Sequence, residues 1–133
     1  MPELKTNFAV IDSGLGLTPV AVGPTMYADL ERNFAQFKQC ILVSEHSFDR
    51  DWDTWEMHPA GDELLYLLDG QVRLIFRRAG EEQIIDLRQP GTWAAVPKGT
   101  WHTAKVATFA RMLFITPGEG TENATEPPKV TDI

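Results

Sequence analysis

Trp55-Glu56-Met57-His58-Pro59-Ala60-Gly61-Asp62-Glu63, closed a few residues later by Asp69-Gly70, is the stretch whose reading decides the fold. Side chains two apart on a strand share a face, so Glu56 and His58 point together while Trp55 and Met57 point the other way. Pro59-Ala60-Gly61-Asp62 is turn-forming and returns the chain so that Glu63 comes beside them. Further on, Pro97-Lys98-Gly99 precedes Thr100-Trp101-His102. There the proline fixes one dihedral and the glycine frees another, which sets the angle at which His102 enters its strand. Two imidazoles and two carboxylates, those of Glu56, His58, Glu63 and His102, are thereby expected to converge inside a barrel.

Outward from this stretch the chain consists of short apolar runs cut by turns, the pattern of an antiparallel barrel or sandwich. Strands are expected over residues 40–48, 54–58, 63–68, 71–77, 82–87, 92–96, 101–106 and 109–116. Asp69-Gly70 reads as a type I′ hairpin turn, because both central residues of such a turn need positive φ. Ala79-Gly80-Glu81 is expected to close the next hairpin and Pro90-Gly91 the bend after it. Leu64 to Leu68 and Met112 to Ile115 are apolar on both faces, which predicts a homodimer built on sheet faces. The barrel is assigned to residues 38–116, with an N-terminal arm at 1–37 and a polar, mobile tail at 117–133. Within the arm, Met26, Leu30 and Phe34 recur every four residues, which leaves room for one short helix over a barrel mouth.

The residues quoted above resemble the two motifs of the cupin superfamily, G-x5-H-x-H-x(3,4)-E-x6-G and G-x5-P-x-G-x2-H-x3-N. Gly91, Pro97, Gly99 and His102 match the second motif, with Val106 in place of its asparagine. His58, Glu63 and Gly70 match the first, whose opening glycine is absent and whose first histidine is replaced by Glu56. The resemblance implies an all-β fold, a double-stranded β-helix or jelly-roll barrel of the small single-domain, cupin 2 type. It also implies that His58, Glu63 and His102 ligate a divalent metal ion (Fe, Mn, Ni or Zn), with Glu56 as a change of ligand type. Cupins of this kind include dioxygenases, isomerases and decarboxylases.

Composition sets the outer limits. At 133 residues with 43% apolar side chains, one domain with a real core is expected. A formal charge of −7 repels phosphate backbones and argues against nucleic acid, leaving small molecules or proteins as partners. No apolar run approaches the length that spans a bilayer, so no membrane partner is expected, and Met1-Pro2-Glu3-Leu4-Lys5 lacks a signal-peptide profile. The chain reads as cytoplasmic. Cys40 stands alone and is expected to be a small buried side chain, and Asn123-Ala124-Thr125 is taken as a chance sequon.

Two readings of the cluster stand side by side. With a metal, two histidines and two carboxylates around a divalent ion sum to zero charge, against +1 for three histidines and one carboxylate. The more anionic shell weakens the Lewis acid and favours a higher oxidation state. If Glu56 does not ligate, two histidines and one carboxylate leave open positions, as in non-haem Fe(II) oxygenases. Without a metal, the carboxylates pair with the imidazoles, and the barrel is a non-catalytic module that binds or senses a small ligand. Leu65, Leu67 and Ala104 are expected to form an apolar pocket wall. His46 is expected at the surface or rim, Trp55 and Trp101 in packing away from the site, and Arg73, Arg77, Arg78 and Arg88 on a solvated face.

Overall fold

The computed structural model describes residues 1–127. Its elements are β1 (Asn7–Ile11), β2 (Leu17–Ala21), α1 (Met26–Asn33), β3 (Ile41–Phe48), β4 (Trp55–Met57), β5 (Glu63–Gly70), β6 (Val72–Arg78), β7 (Glu81–Leu87), β8 (Trp93–Val96), β9 (Trp101–Lys105), β10 (Ala110–Pro117) and β11 (Glu122–Ala124). They form two antiparallel sheets, ordered β2-β1-β3-β10-β5-β8 and β11-β4-β9-β6-β7. From β3 onward the chain passes from one sheet to the other at each step except between β6 and β7, as in a jelly roll, so the all-β double-stranded β-helix expected from the sequence is what the chain adopts. No helix among the described residues is long and apolar enough to cross a membrane.

The strands alternate as period-2 patterning requires. In β5 and β10 every second side chain is buried, and Leu65, Leu67, Leu74, Ala104 and Met112 are fully enclosed between the sheets. Each large apolar side chain buried in this way contributes about 1.5–3 kcal/mol. These residues fill the barrel below the site, so Leu65, Leu67 and Ala104 do not form the pocket wall that alternation alone suggested. Alternation sets the inward direction of these side chains but not their depth along the barrel axis. A second cluster joins Phe8 and Val10 of β1 to Met26 and Leu30 of α1, together with Phe37, Cys40 and Leu42. The helix therefore covers one end of the barrel, and Cys40 is buried as expected.

One turn assignment is overturned, while the hairpin expected at Ala79-Gly80-Glu81 forms. Asp69-Gly70 does not close a hairpin, since β5 pairs with β10 and β8 while β6 pairs with β7 and β9. It is a corner where the chain leaves one sheet for the other, and only Gly70 (φ 80°) has positive φ there. A Cβ on Gly70 would lie 2.1 Å from the carbonyl oxygen of Phe109, so the glycine is needed for close backbone approach rather than for a type I′ turn. The two-residue hairpin with positive φ at both positions is Ala79 (52°) and Gly80 (80°), flanked by the Arg78–Glu81 pair. Arg73 with Asp86, Arg77 with Glu82, and Arg88 with Asp86 then ladder the solvated outer face of that hairpin, as expected.

The N-terminal arm and residues 122–124 both pair with barrel strands. β1 and β2 extend the sheet beyond β3, so the arm pairs with its own barrel. Residues 117–127 were expected to be part of a mobile tail, yet Glu122–Ala124 pairs with Trp55–Met57 as an edge strand. The backbone of β4 offers hydrogen bonds that a polar strand can satisfy without burying apolar area, and composition does not register this gain. The rest of that tail lies outside the described residues.

Candidate metal centre

The four residues singled out from the sequence meet between the two sheets. Glu56 on β4 stands opposite His102 on β9, His58 follows β4, and Glu63 opens β5 in the facing sheet. The loops that carry them are tied together. The carboxylate of Asp62 accepts the Lys98 N–H at 2.7 Å, and the carbonyl of His58 accepts the Gly99 N–H at 3.0 Å. Pro59–Asp62 and Pro97–Gly99 thus fix each other, and with them the relative placement of Glu63 and His102.

His58, Glu63 and His102 are 4%, 3% and 0% exposed, while Glu56 is half-buried on the pocket side. Glu63 Oε1 lies 3.0 Å from His102 Nε2 and 3.3 Å from His58 Nε2, and Glu56 Oε1 lies 3.8 Å from His58 Nε2. Ligands about 2.1 Å from one ion sit roughly 3.0–3.5 Å from each other, so the spacing suits a single small cation. Glu56, His58 and His102 each place a ligand atom within 4.8 Å of the others. His58 Nε2, Glu63 Oε1 and His102 Nε2 are nevertheless left without an aligned hydrogen-bond partner. Buried polar atoms are rarely left in that state.

The outer nitrogens explain why. His102 Nδ1 lies 3.1 Å from the carbonyl oxygen of Thr100, which can only accept, so Nδ1 carries a proton. His58 Nδ1 lies 2.8 Å from Thr121 Oγ1, whose single hydroxyl proton is directed at the Gly118 carbonyl 2.9 Å away. Thr121 therefore accepts, and His58 Nδ1 is protonated as well. Both Nε2 atoms then present lone pairs toward the same carboxylate oxygen. Electron pairs converging in a buried space need a positive charge among them, either a proton or a metal ion. The other oxygen of Glu63 is held by the Thr116 hydroxyl at 2.6 Å.

Titration follows the same geometry. Burial would raise Glu63, but hydrogen bonding and charge from His102 and His58 outweigh it and hold the carboxyl at about 2. Burial would lower His102, yet hydrogen bonding and charge from Glu63 raise it above the ordinary histidine value. Glu56 is raised by burial and then by the charge of Glu63.

An open pocket of about 890 Å³ leads to the centre, walled by Tyr27 and Leu30 of α1, His46 and Phe48 of β3, the loop from Asp49 to Thr54, Phe114, Gly120 and Thr121. His46 was expected at the surface or rim. It is partly buried in the wall, edge-on to Phe8 and Phe114, and burial pushes its pKa down. The even positions of β3 alternate inward through His46, so the strand pattern carried that signal. Thr121 had no signal in the sequence, because its role depends on β11 docking. Trp55 and Trp101 avoid the site as expected, and the Arg77 guanidinium sits 4.8 Å from the centre of the Trp55 ring.

No protein-family model and no curated protein sequence matches the chain. Solved structures do. An oxalate oxidase is 16% identical over 61% of this chain and 44% of its own, with a TM-score of 0.52. An oxalate decarboxylase from Bacillus subtilis is 16% identical over 63% of this chain and 23% of its own, also at 0.52. A cupin-2 domain protein from Shewanella frigidimarina is 23% identical over 58% of this chain and 70% of its own, at 0.49. The chain therefore spans less than half the length of the two enzymes, and the likeness shows a shared fold.

Proposed function

We propose that this chain, a cupin in fold, is a divalent-metal protein whose centre binds and transforms a small organic molecule. The ligands in this reading are Glu56, His58, Glu63 and His102. The observation that carries it is the set of buried, unpartnered atoms, His58 Nε2, His102 Nε2 and Glu63 Oε1, converging at 3.0–3.3 Å. An ion held there supplies Lewis acidity and exchangeable positions for a bound molecule. Thr100 and Thr121 hold both imidazoles in the tautomer that offers Nε2 inward, and Thr116 orients Glu63. Glu56, raised and reaching the pocket, is suited to accept or return a proton from a molecule seated above it. The apolar core beneath closes the floor to water. A cytoplasmic homodimer is part of the same proposal.

The oxalate named for both enzyme neighbours is not carried over. A dianion would meet one arginine in the pocket wall, Arg50, already paired with Asp49 at 3.1 Å.

Elemental analysis of protein purified without chelator or a metal-affinity tag tests the reading, with about one divalent ion per chain expected. Glu56→His restores the three-histidine, one-carboxylate set of the cupin motif and should keep or raise occupancy, while Glu56→Ala should lower it. His58→Ala and His102→Ala should each cost far more, because removing an imidazole from a four-ligand shell leaves too few groups to hold the ion against water. Wild type and Glu56→His that are equally metal-free would leave the non-catalytic, proton-bridged module as the surviving account.

A further inference from the structure

The wall above the metal centre has a chemistry of its own, and its acidic groups are unevenly compensated. Asp49 is paired with Arg50, and Asp51 accepts the Val106 N–H at 2.7 Å with Lys105 3.8 Å away. Glu31 and Asp53 face the same pocket and have no ion pair among the described residues. Below them the two imidazoles and two carboxylates of the centre cancel the charge of a divalent ion. The loaded pocket thus keeps a negative rim above a neutral floor.

The wall between rim and floor is aromatic. Phe48 and Trp52 lie 5.4 Å apart between ring centres, Trp52 and Phe114 5.9 Å, and His46 and Phe114 5.4 Å, and Tyr27 of α1 belongs to the same lining. Burial keeps His46 neutral near pH 7, so it adds no competing cation to this wall. Aromatic faces attract cations and apolar groups, and a negative rim draws cations in. The lining encloses about 890 Å³, room for a small organic molecule above the centre.

We propose that the molecule taken by this pocket is a small organic cation, an amine with an apolar or aromatic body, rather than an organic anion. The proposal rests on the pocket being a ligand site, as argued above, and names the class of ligand. The ammonium group lies toward Glu31 and Asp53 and the body against Phe48, Trp52 and Phe114.

The test uses three near-isosteric probes, benzylammonium, benzyl alcohol and benzoate, titrated by calorimetry into metal-loaded protein and into chelator-treated protein at pH 7. Benzylammonium should bind about tenfold or more tighter than benzoate at low salt, with benzyl alcohol between them. The margin should shrink at 0.5 M salt and in the Glu31→Gln, Asp53→Asn double variant, which leaves the metal ligands intact. The preference for the cation should persist without metal, because the rim charges do not depend on it. Metal content by elemental analysis is read separately, so loss of the metal reading and loss of the ligand class give different patterns. Benzoate binding as tightly as benzylammonium, an unchanged margin in the double variant, or no binding of benzylammonium at millimolar concentration overturns the proposal.

Discussion

Replacing Glu63 by Gln in chelator-treated protein should produce a stability difference that depends on pH in a way set by the buried cluster. The amide keeps the shape and can still accept the Thr116 hydroxyl, so what is lost is the charge facing His58 and His102. The carboxyl falls from its ordinary value of 4.5 to about 2 in the folded chain. At about 1.4 kcal/mol per pH unit this displacement is worth roughly 3 kcal/mol. Because the folded pKa is depressed, that stabilisation is present above about 4.5 and is lost as pH falls through about 2. His102 has the opposite sign, since its raised value gives stabilisation below 6.5 that fades as pH climbs through the folded pKa. The gap between wild type and Glu63→Gln should therefore be widest from about pH 4.5 to 6.5, near 3 kcal/mol, and narrow on either side. Urea unfolding followed by tryptophan fluorescence across pH 3 to 9 measures it. A gap independent of pH, or a variant more stable throughout, would show that the cost of burying three polar groups outweighs their attraction. The raised pKa of His102 predicts that metal affinity falls as pH is lowered, because protons then compete with the ion for its imidazole.

Three further outcomes follow from other parts of the molecule. Gly70→Val should lower stability by about 2–4 kcal/mol, because a β-branched residue at φ 80° would also drive its Cβ into the Phe109 carbonyl; an unchanged melting temperature would refute the corner geometry. Thr121→Val should weaken metal binding by about 10- to 100-fold while Thr121→Ser restores it, as read by competition with a chromogenic chelator; equal affinities in the three proteins would remove Thr121 from the positioning of His58. Sedimentation at micromolar concentration should report a dimer, since Leu64, Tyr66, Leu113 and Ile115 remain half-buried on the outer face of the six-stranded sheet, and a clean monomer would show that this face is stable in water.

The sequence by itself determined what is local and periodic. Alternation along β3, β5 and β10 separated inward from outward side chains, Pro59–Asp62 and Pro97–Gly99 announced the two loops, and the spacing of Glu56, His58, Glu63 and His102 selected the residues that meet. Strand propensity, turn chemistry and period depend on neighbours in the chain, and a single sequence carries them in full. Pairing across the barrel was a tertiary decision. Asp69-Gly70 has the composition of a hairpin turn, but β5 pairs with β10 and β6 with β9 in opposite sheets whose inner faces share one core, so it became a corner. Leu65, Leu67 and Ala104 face inward as alternation demands, yet their position along the barrel axis put them in the solid core rather than the pocket. Thr121 gained its contact with His58 only when β11 found the free edge of β4, across 63 residues of sequence. No local pattern encodes that approach, because the unpaired edge that attracts the strand exists only after the barrel has closed.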